Sequence, residues 1–379
     1  MAQIKNIFIV CGEPSGDTLA GNLVKEIQKI EPQIKFSGVG GLQLAKTGAE
    51  IFYNISNLSV MGFFDVLKKL PRFLELKKII LKRINTHQPD CLILVDFSGF
   101  NLRLAQAINK RIPVIYYVSP QVWASREGRI NSIKKFISKM VVLFKFEEEF
   151  YKKRGIQSTY VGHPLIDLAK PTLRKQEFLD NYQISPDKKI IALLPGSRIQ
   201  EIKIMLPLML EAAKLIHGTI SQTQFIIAKA SNLDTQIYLN ECKKFNLDVK
   251  IIDGLTYDCL NNADASMVCS GTATLEATIM QKPFVIIYKT NILNYLLYRP
   301  QLKIPYIGMV NIVAGKEIVP EFIQFKAKPK MIANSILKFL QDPSSSVRLS
   351  QDLLKVKNDL GEPGAAQRAA RLILNFLQK

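Results

Sequence analysis

Histidine is scarce in this sequence and its cysteines do not pair. Three His and five Cys occur in 379 residues. Cys11, Cys91, Cys242, Cys259 and Cys269 are scattered, odd in number and mostly inside apolar runs, with no C-x-x-C spacing. That excludes a disulfide framework and a structural zinc site as organising features, and it points to the inside of the cell. The turn after the first apolar run is not G-x-G-x-x-G, and no P-loop G-K-[S/T] occurs, which argues against a dinucleotide cofactor and a Walker site. No apolar stretch reaches the roughly 18 residues of a spanning helix, and the run 7–10 is too short for a secretory signal. The expectation is a soluble chain or one that lies on a membrane surface. Acidic residues are in deficit, 32 against 51 Lys and Arg, giving a formal charge of +19. Such a surface attracts nucleic acid, anionic lipid or phosphorylated substrates. The excess is spread over both halves and is not confined to a tail.

What is present is a repeated alternation of strand and helix. Continuous apolar runs at 7–10, 36–39, 91–95, 114–118 and 140–144 are separated by helical spacing such as 18–30. The pattern restarts at 190–194, 224–228, 249–252, 265–268 and 284–288. Runs without polar alternation imply parallel strands buried on both faces. A chain of this length exceeds one core, so the reading is α/β with two Rossmann-like domains whose parallel sheets face a central cleft. The domains are placed at 1–168 and 169–355, with a tail helix at 356–379 that packs back on the first domain or closes the second.

Two turns carry the strongest chemical signal. Leu193-Leu194-Pro195-Gly196-Ser197-Arg198 and Cys269-Ser270-Gly271-Thr272 each end an apolar run, turn on Gly and small hydroxyls, and enter a helix. Backbone N–H groups and the helix dipole then converge on one spot, an anion site. Arg198 adds a two-pronged donor for phosphate oxygens, and Glu276 is suited to a ribose diol. The plain alternative for the second turn is a helix cap with an incidental Glu. In the first domain, Gly12-Glu13-Pro14-Ser15-Gly16-Asp17 follows the first strand and suits sugar hydroxyls, or is an ordinary turn with Asp17 near the helix start. Asp96 follows the strand 91–95, where a general base belongs, or caps a helix. Trp123, the single Trp, stacks on a ligand or plugs its own loop. The segment 61–84 interleaves apolar Phe63 and Phe64 with Lys68, Lys69 and Arg72. It suits an anionic membrane surface, or is a core helix with a solvated face. Pro71 is expected to divide it.

In order along the chain stand Gly12-Glu13-x-Ser15-Gly16-Asp17, Met61-Gly62, Asp96-x-x-x-Phe100-Asn101, Tyr117-Val118-Ser119-Pro120-x-Val122-Trp123-Ala124, Gly162-His163, Leu193 to Arg198, Ser270-Gly271-Thr272-Ala273, Leu275-Glu276 and Asn311-x-x-Ala314-Gly315. This set resembles the lipid-A-disaccharide synthases, from Ile7 to near the end of the chain. Pro14, the Phe97-Ser98-Gly99 loop and Ser125 depart from the family pattern. The resemblance implies an inverting GT-B glycosyltransferase. It would condense UDP-2,3-diacylglucosamine with 2,3-diacylglucosamine 1-phosphate into a β(1→6) disaccharide 1-phosphate plus UDP. It implies no metal or other cofactor, a peripheral position on the cytoplasmic face of the inner membrane, and allows a homodimer. It casts Asp96, Arg198 and Glu13 as catalytic. Gly196, Ser197, Arg198, Ser270, Gly271, Thr272, Glu276 and Asn311 would face UDP. Gly12, Ser15, Gly16, Asp17, Met61, Asn101, Ser119 and Trp123 would face the acceptor. Two rival classes are a UDP-sugar epimerase on a similar fold, which needs no acceptor, and a basic nucleic-acid binder, for which no motif is present.

Overall fold

A computed structural model describes residues 5–55 and 70–378. Met61, Phe63, Phe64, Lys68 and Lys69 lie outside the described residues. The chain divides into two compact units. The first comprises Met1–Pro164, Gln301–Lys303 and Leu360–Lys379; the second comprises Leu165–Pro300 and Ile304–Asp359.

The first unit holds β1 (Asn6–Val10), β2 (Lys35–Gly40), β3 (Glu50–Asn54), β4 (Cys91–Val95), β5 (Val114–Tyr117), β6 (Lys139–Val142) and β7 (Ser158–Tyr160). They form one parallel sheet in the order β3-β2-β1-β4-β5-β6-β7. The five residues of β4 are all buried, as an unbroken Cys-Leu-Ile-Leu-Val run between helix-covered faces requires. Truncating one of them, Leu94→Ala, carries a cost of about 2–5 kcal/mol.

The second unit holds β8 (Lys189–Leu194), β9 (Thr223–Lys229), β10 (Val249–Asp253), β11 (Ala265–Cys269), β12 (Phe284–Tyr288) and β13 (Glu321–Ile323). Its parallel order is β10-β9-β8-β11-β12-β13. Along β8, Ile191 and Leu193 enter one core while Ile190, Ala192 and Leu194 enter the other. The strand period of two thus feeds both faces.

The order reverses beside β1 in one sheet and beside β8 in the other. Ligands of open α/β sheets sit beyond the carboxyl ends of the strands at such reversals. The helix Leu70–His87 buries Leu76, Ile80 and Ile84 and exposes Leu74. The described part of the 61–84 segment is therefore a core-packing helix with a solvated face that carries Arg72. From Pro71 the described helix continues to His87; the residues before Leu70, on which the expected division bears, lie outside the described residues.

The last helix, Ala365–Leu377, lies against the first, Pro14–Ile30, within the first unit. Gly361 (φ +97°) and Gly162 (φ +84°) let the returning chain pass close by: a side chain on Gly361 would meet the Tyr160 hydroxyl and the Cα of Gly162. The Arg368 guanidinium donates to the carbonyls of Val161, Pro363 and Glu362 at 2.9, 2.6 and 2.6 Å and fastens the return.

Candidate functional site

In the first unit, β1 and its neighbour β4 end side by side. Gly12 follows β1, and a side chain there would overlap the Phe97 ring. At Gly16 a Cβ would stand in ordinary contact, 3.8 Å from the Cβ of Asp96. Gly12 is the residue that lets the loop after β1 close against the loop after β4. Glu13 and Ser15 are half-buried at the start of the helix Pro14–Ile30.

Asp17 has a different task from the one the sequence suggested. It is buried, and its carboxylate accepts N–H groups from Gly41 (2.7 Å), Gln43 (2.8 Å) and Leu44 (3.2 Å). It caps the short helix Leu42–Ala45, so it is a fastener of the loop after β2 and not a free sugar acceptor.

Asp96 and Phe97 both take left-handed backbone, with φ of +49° and +46°. Two consecutive non-glycine residues there store strain of order 1–3 kcal/mol each. The Asp96 carbonyl is held by the Tyr116 hydroxyl (2.5 Å) and by Nδ2 of Asn101 (2.8 Å), which also donates to the Val95 carbonyl (3.3 Å). Burial pushes the Tyr116 hydroxyl up, so it stays a donor. Asn101 is fully buried. Its amide nitrogen acts on the Asp96 peptide, while its Oδ1 is buried with no hydrogen-bond partner among the described residues.

The loop after β5 turns on Val118 at φ +66°, a strained value for a β-branched residue. Ser119 and Trp123 both donate to Oε1 of Glu147, at 2.7 and 3.0 Å, and the Phe144 N–H donates to Oε2 at 3.3 Å. The indole also meets Phe146 edge-on at 5.0 Å. Ser119 and Trp123 are thus tied to a buried carboxyl, which burial raises to about 7. Trp123 is half-buried, tied to Glu147 and packed on Phe146 beneath its own loop. Sequence reasoning missed Glu147, because it begins the run Glu147-Glu148-Glu149 and reads as a solvated face.

In the second unit, β8 and β11 are hydrogen-bonded neighbours, so the two Gly turns emerge together. Gly196 has φ +115°, and a side chain there would collide with Glu201. Glu201 is buried in the first turn of the helix Ile199–Thr219. It accepts the Ser197 N–H at 3.0 Å and pairs with Arg198 at 2.7 Å. A carboxylate in this position complements the helix dipole and holds the guanidinium. The turn Pro195 to Arg198 is therefore pre-shaped by a residue that the motif reading passed over, although its place three residues after Arg198 was a visible signal.

After β11, Gly271 has φ +150° with open space where a side chain would go, and Thr272 is exposed ahead of the helix Ala273–Met280. The Ser270 hydroxyl donates to the Ile307 carbonyl at 3.2 Å. Glu276 bonds to the Tyr257 hydroxyl, and burial pushes it up to about 7.

Asn311 is fully engaged inside its own unit. Its Nδ2 donates to Val319 O (2.8 Å) and Oε1 of Glu321 (2.9 Å), and its Oδ1 accepts from the N–H groups of Ile318 (2.9 Å) and Val319 (3.0 Å). All its bonding positions are filled, which corrects the expectation that its amide faces a nucleotide. Glu321 also accepts the N–H groups of Ile307 and Gly308 at 3.0 Å each. It thereby anchors the loop to which Ser270 bonds. Nothing in the sequence marked Glu321. Among the described residues, no group of three or more His, Cys, Asp or Glu could hold a metal ion, and no helix is long and apolar enough to cross a membrane.

Solved structures with this architecture include a putative UDP-N-acetylglucosamine 2-epimerase from Listeria monocytogenes (15% identity, TM-score 0.64, covering 100% of this chain and 97% of that one). The kitacinnamycin glycotransferase is another (16%, TM-score 0.65, 99% and 100%). These likenesses define the class: a two-domain α/β protein of the GT-B fold, shared by glycosyltransferases and epimerases. The profile of the lipid-A-disaccharide synthetase family matches residues 7–376. The lipid-A-disaccharide synthase of Syntrophus aciditrophicus is 40% identical over 377 residues, covering 99% of this chain and 98% of its relative. That of Coxiella burnetii (strain CbuG_Q212) is 36% identical over 375 residues, covering 98% and 99%. The chain belongs to the lipid-A-disaccharide synthase family, and it is a hexosyltransferase.

Proposed function

We propose that the chain joins UDP-2,3-diacylglucosamine to 2,3-diacylglucosamine 1-phosphate with inversion at the anomeric carbon. The products are the β(1→6) disaccharide 1-phosphate and UDP. The observation that carries this reading is the pair of Gly turns on adjacent strands β8 and β11 at the sheet reversal, one with Arg198 and the other leading to Glu276. In this scheme the diphosphate lies against Ser197, Arg198, Gly271 and Thr272, and Glu276 takes the ribose. Asp96 accepts the proton of the acceptor 6-hydroxyl as its oxygen attacks the anomeric carbon and the bond to UDP breaks. Arg198 and the helix ends stabilise the negative charge on departing UDP. Glu13, half-buried in the loop after β1, is the second acid of the scheme.

The lipid side of the reading is supported by a surface of the second unit. The helix Ile292–Tyr298 exposes Leu293, Leu296 and Leu297, and Tyr295 meets the exposed Phe325 ring at 5.8 Å. From 277 to 300 the sequence holds Lys282, Lys289 and Arg299 and no acid. Apolar side chains in a basic, acid-free stretch suit contact with acyl chains under anionic headgroups. The proposed location is accordingly the cytoplasmic face of the inner membrane.

The test is incubation of the purified protein with both diacyl substrates, followed by mass spectrometry. Release of UDP with a disaccharide 1-phosphate supports the reading. Conversion of UDP-N-acetylglucosamine without an acceptor would instead favour an epimerase.

A further inference from the structure

Beside Asp96 lies a cluster of three arginines, Arg103, Arg126 and Arg129. The helix Ser98–Ile108 has no acidic residue in its first turn. Over that turn lies the Arg129 guanidinium, donating to the Ser98 hydroxyl at 3.1 Å, with Nη2 4.0 Å from where a Gly99 side chain would begin. A cation at a helix N-terminus opposes the dipole. Arg126 and Arg103 add repulsion, and partial burial removes water from Arg129. The nearby Glu127 is already taken by Arg154 and Lys303. Among the described residues no carboxylate pairs with Arg103, Arg126 or Arg129. Arg126 is itself held at φ +57°, a strained left-handed turn, with Nε donating to Gln301 at 3.3 Å. Three arginines gathered at one helix N-terminus, over a strained loop, break local rules in the way ligand sites do.

We infer that Arg129, with Arg126 and the Ser98 turn, binds a phosphomonoester: the 1-phosphate of the acceptor, held beside the base Asp96. This rests on the transferase reading above. A planar guanidinium matches two phosphate oxygens at once, and the helix N–H groups suit the third. Anchoring that end of the acceptor would fix the sugar while its 6-hydroxyl is deprotonated.

The test pairs binding with turnover. Calorimetry on the full chain would compare glucosamine 1-phosphate with glucosamine. The wild type is expected to prefer the phosphorylated sugar by at least about tenfold, and Arg129→Gln to reduce the preference to within about twofold. Arg129→Lys, which keeps the charge and loses the fork, falls between. The Arg129→Gln protein is expected to melt no lower than the wild type, since an uncompensated cation is removed. In the transfer assay the variant raises KM for the phosphorylated acceptor and leaves KM for the UDP-sugar unchanged. A variant that keeps the phosphate preference, or melts several degrees lower, overturns the inference in favour of a structural Arg. A wild type that binds glucosamine 1-phosphate through Arg129 yet forms no disaccharide overturns the transferase reading and leaves the anion site standing.

Discussion

The strand ends of the two units differ in how charge and backbone are settled. In the second unit Arg198 is paired with Glu201, Glu276 with Tyr257, and Asn311 with its own loop. The bends there fall on Gly196 and Gly271, residues that tolerate positive φ. In the first unit the loops after β4 and β5 bend on Asp96, Phe97, Val118 and Arg126, all with positive φ and none of them glycine. Arg129 is left with a hydroxyl as its side-chain partner. The turns of the second unit are held in shape by their own partners, while the Asp96 loop keeps its strain. Under the proposed function this difference divides the labour: the settled turns hold UDP, and the strained loop carries the proton transfer.

Four substitutions would sharpen or break that contrast. Asp96→Asn should lower turnover by about 10²–10⁴-fold with UDP affinity nearly unchanged. Stopped-time assays with calorimetry check both, and full turnover would remove the strained side from the chemistry. Arg198→Ala should weaken UDP by about ten- to a hundredfold, the loss of one charge-assisted fork. Unchanged UDP affinity would mean that the cradle works through its backbone alone.

Glu147 tests the buried support under the Ser119 loop. Its carboxyl sits near 7 in the folded chain against 4.5 as a free side chain. Between those values the folded state keeps a proton that the unfolded state releases, so stability is full below about pH 4.5 and declines as pH rises through 7. The decline is at most about 3 kcal/mol. Melting curves from pH 4 to 8 should slope downward, and Glu147→Gln should flatten them. The smallest effect is expected at Val118→Gly. Relief of the left-handed strain offsets the usual loss on going to Gly, for a net change within about 1 kcal/mol. A loss of several kcal/mol would show that no strain is held there.

The sequence reveals the two units to different depths. Strands buried on both faces, such as β4 and β12, appear as unbroken apolar runs at 91–95 and 284–288, and periodicity finds them directly. Three edge strands, β3, β7 and β13, escape: each has a face near solvent or is only three residues long, too little for period-two patterning. At the candidate site, Gly turns are legible because glycine marks special backbone. The supports under them are not. Glu147, Glu201, Glu321 and Tyr116 each act from a distance in sequence or inside an unremarkable run. Asp17 and Asn311 have the residue types of ligand groups, yet their bonds go to backbone, and only coordinates tell these uses apart.

The return of the last helix to the first unit bears on how the protein is made. Ala365, Ala366, Ala369, Ala370, Ile373 and Leu374 are buried against residues that leave the ribosome more than three hundred positions earlier. The amino-terminal half therefore stays uncovered along its first helix until the helix Ala365–Leu377 is made, while the middle of the chain can already be folded. A stop codon shortly before position 365 would spare the later-made unit and strand the earlier one.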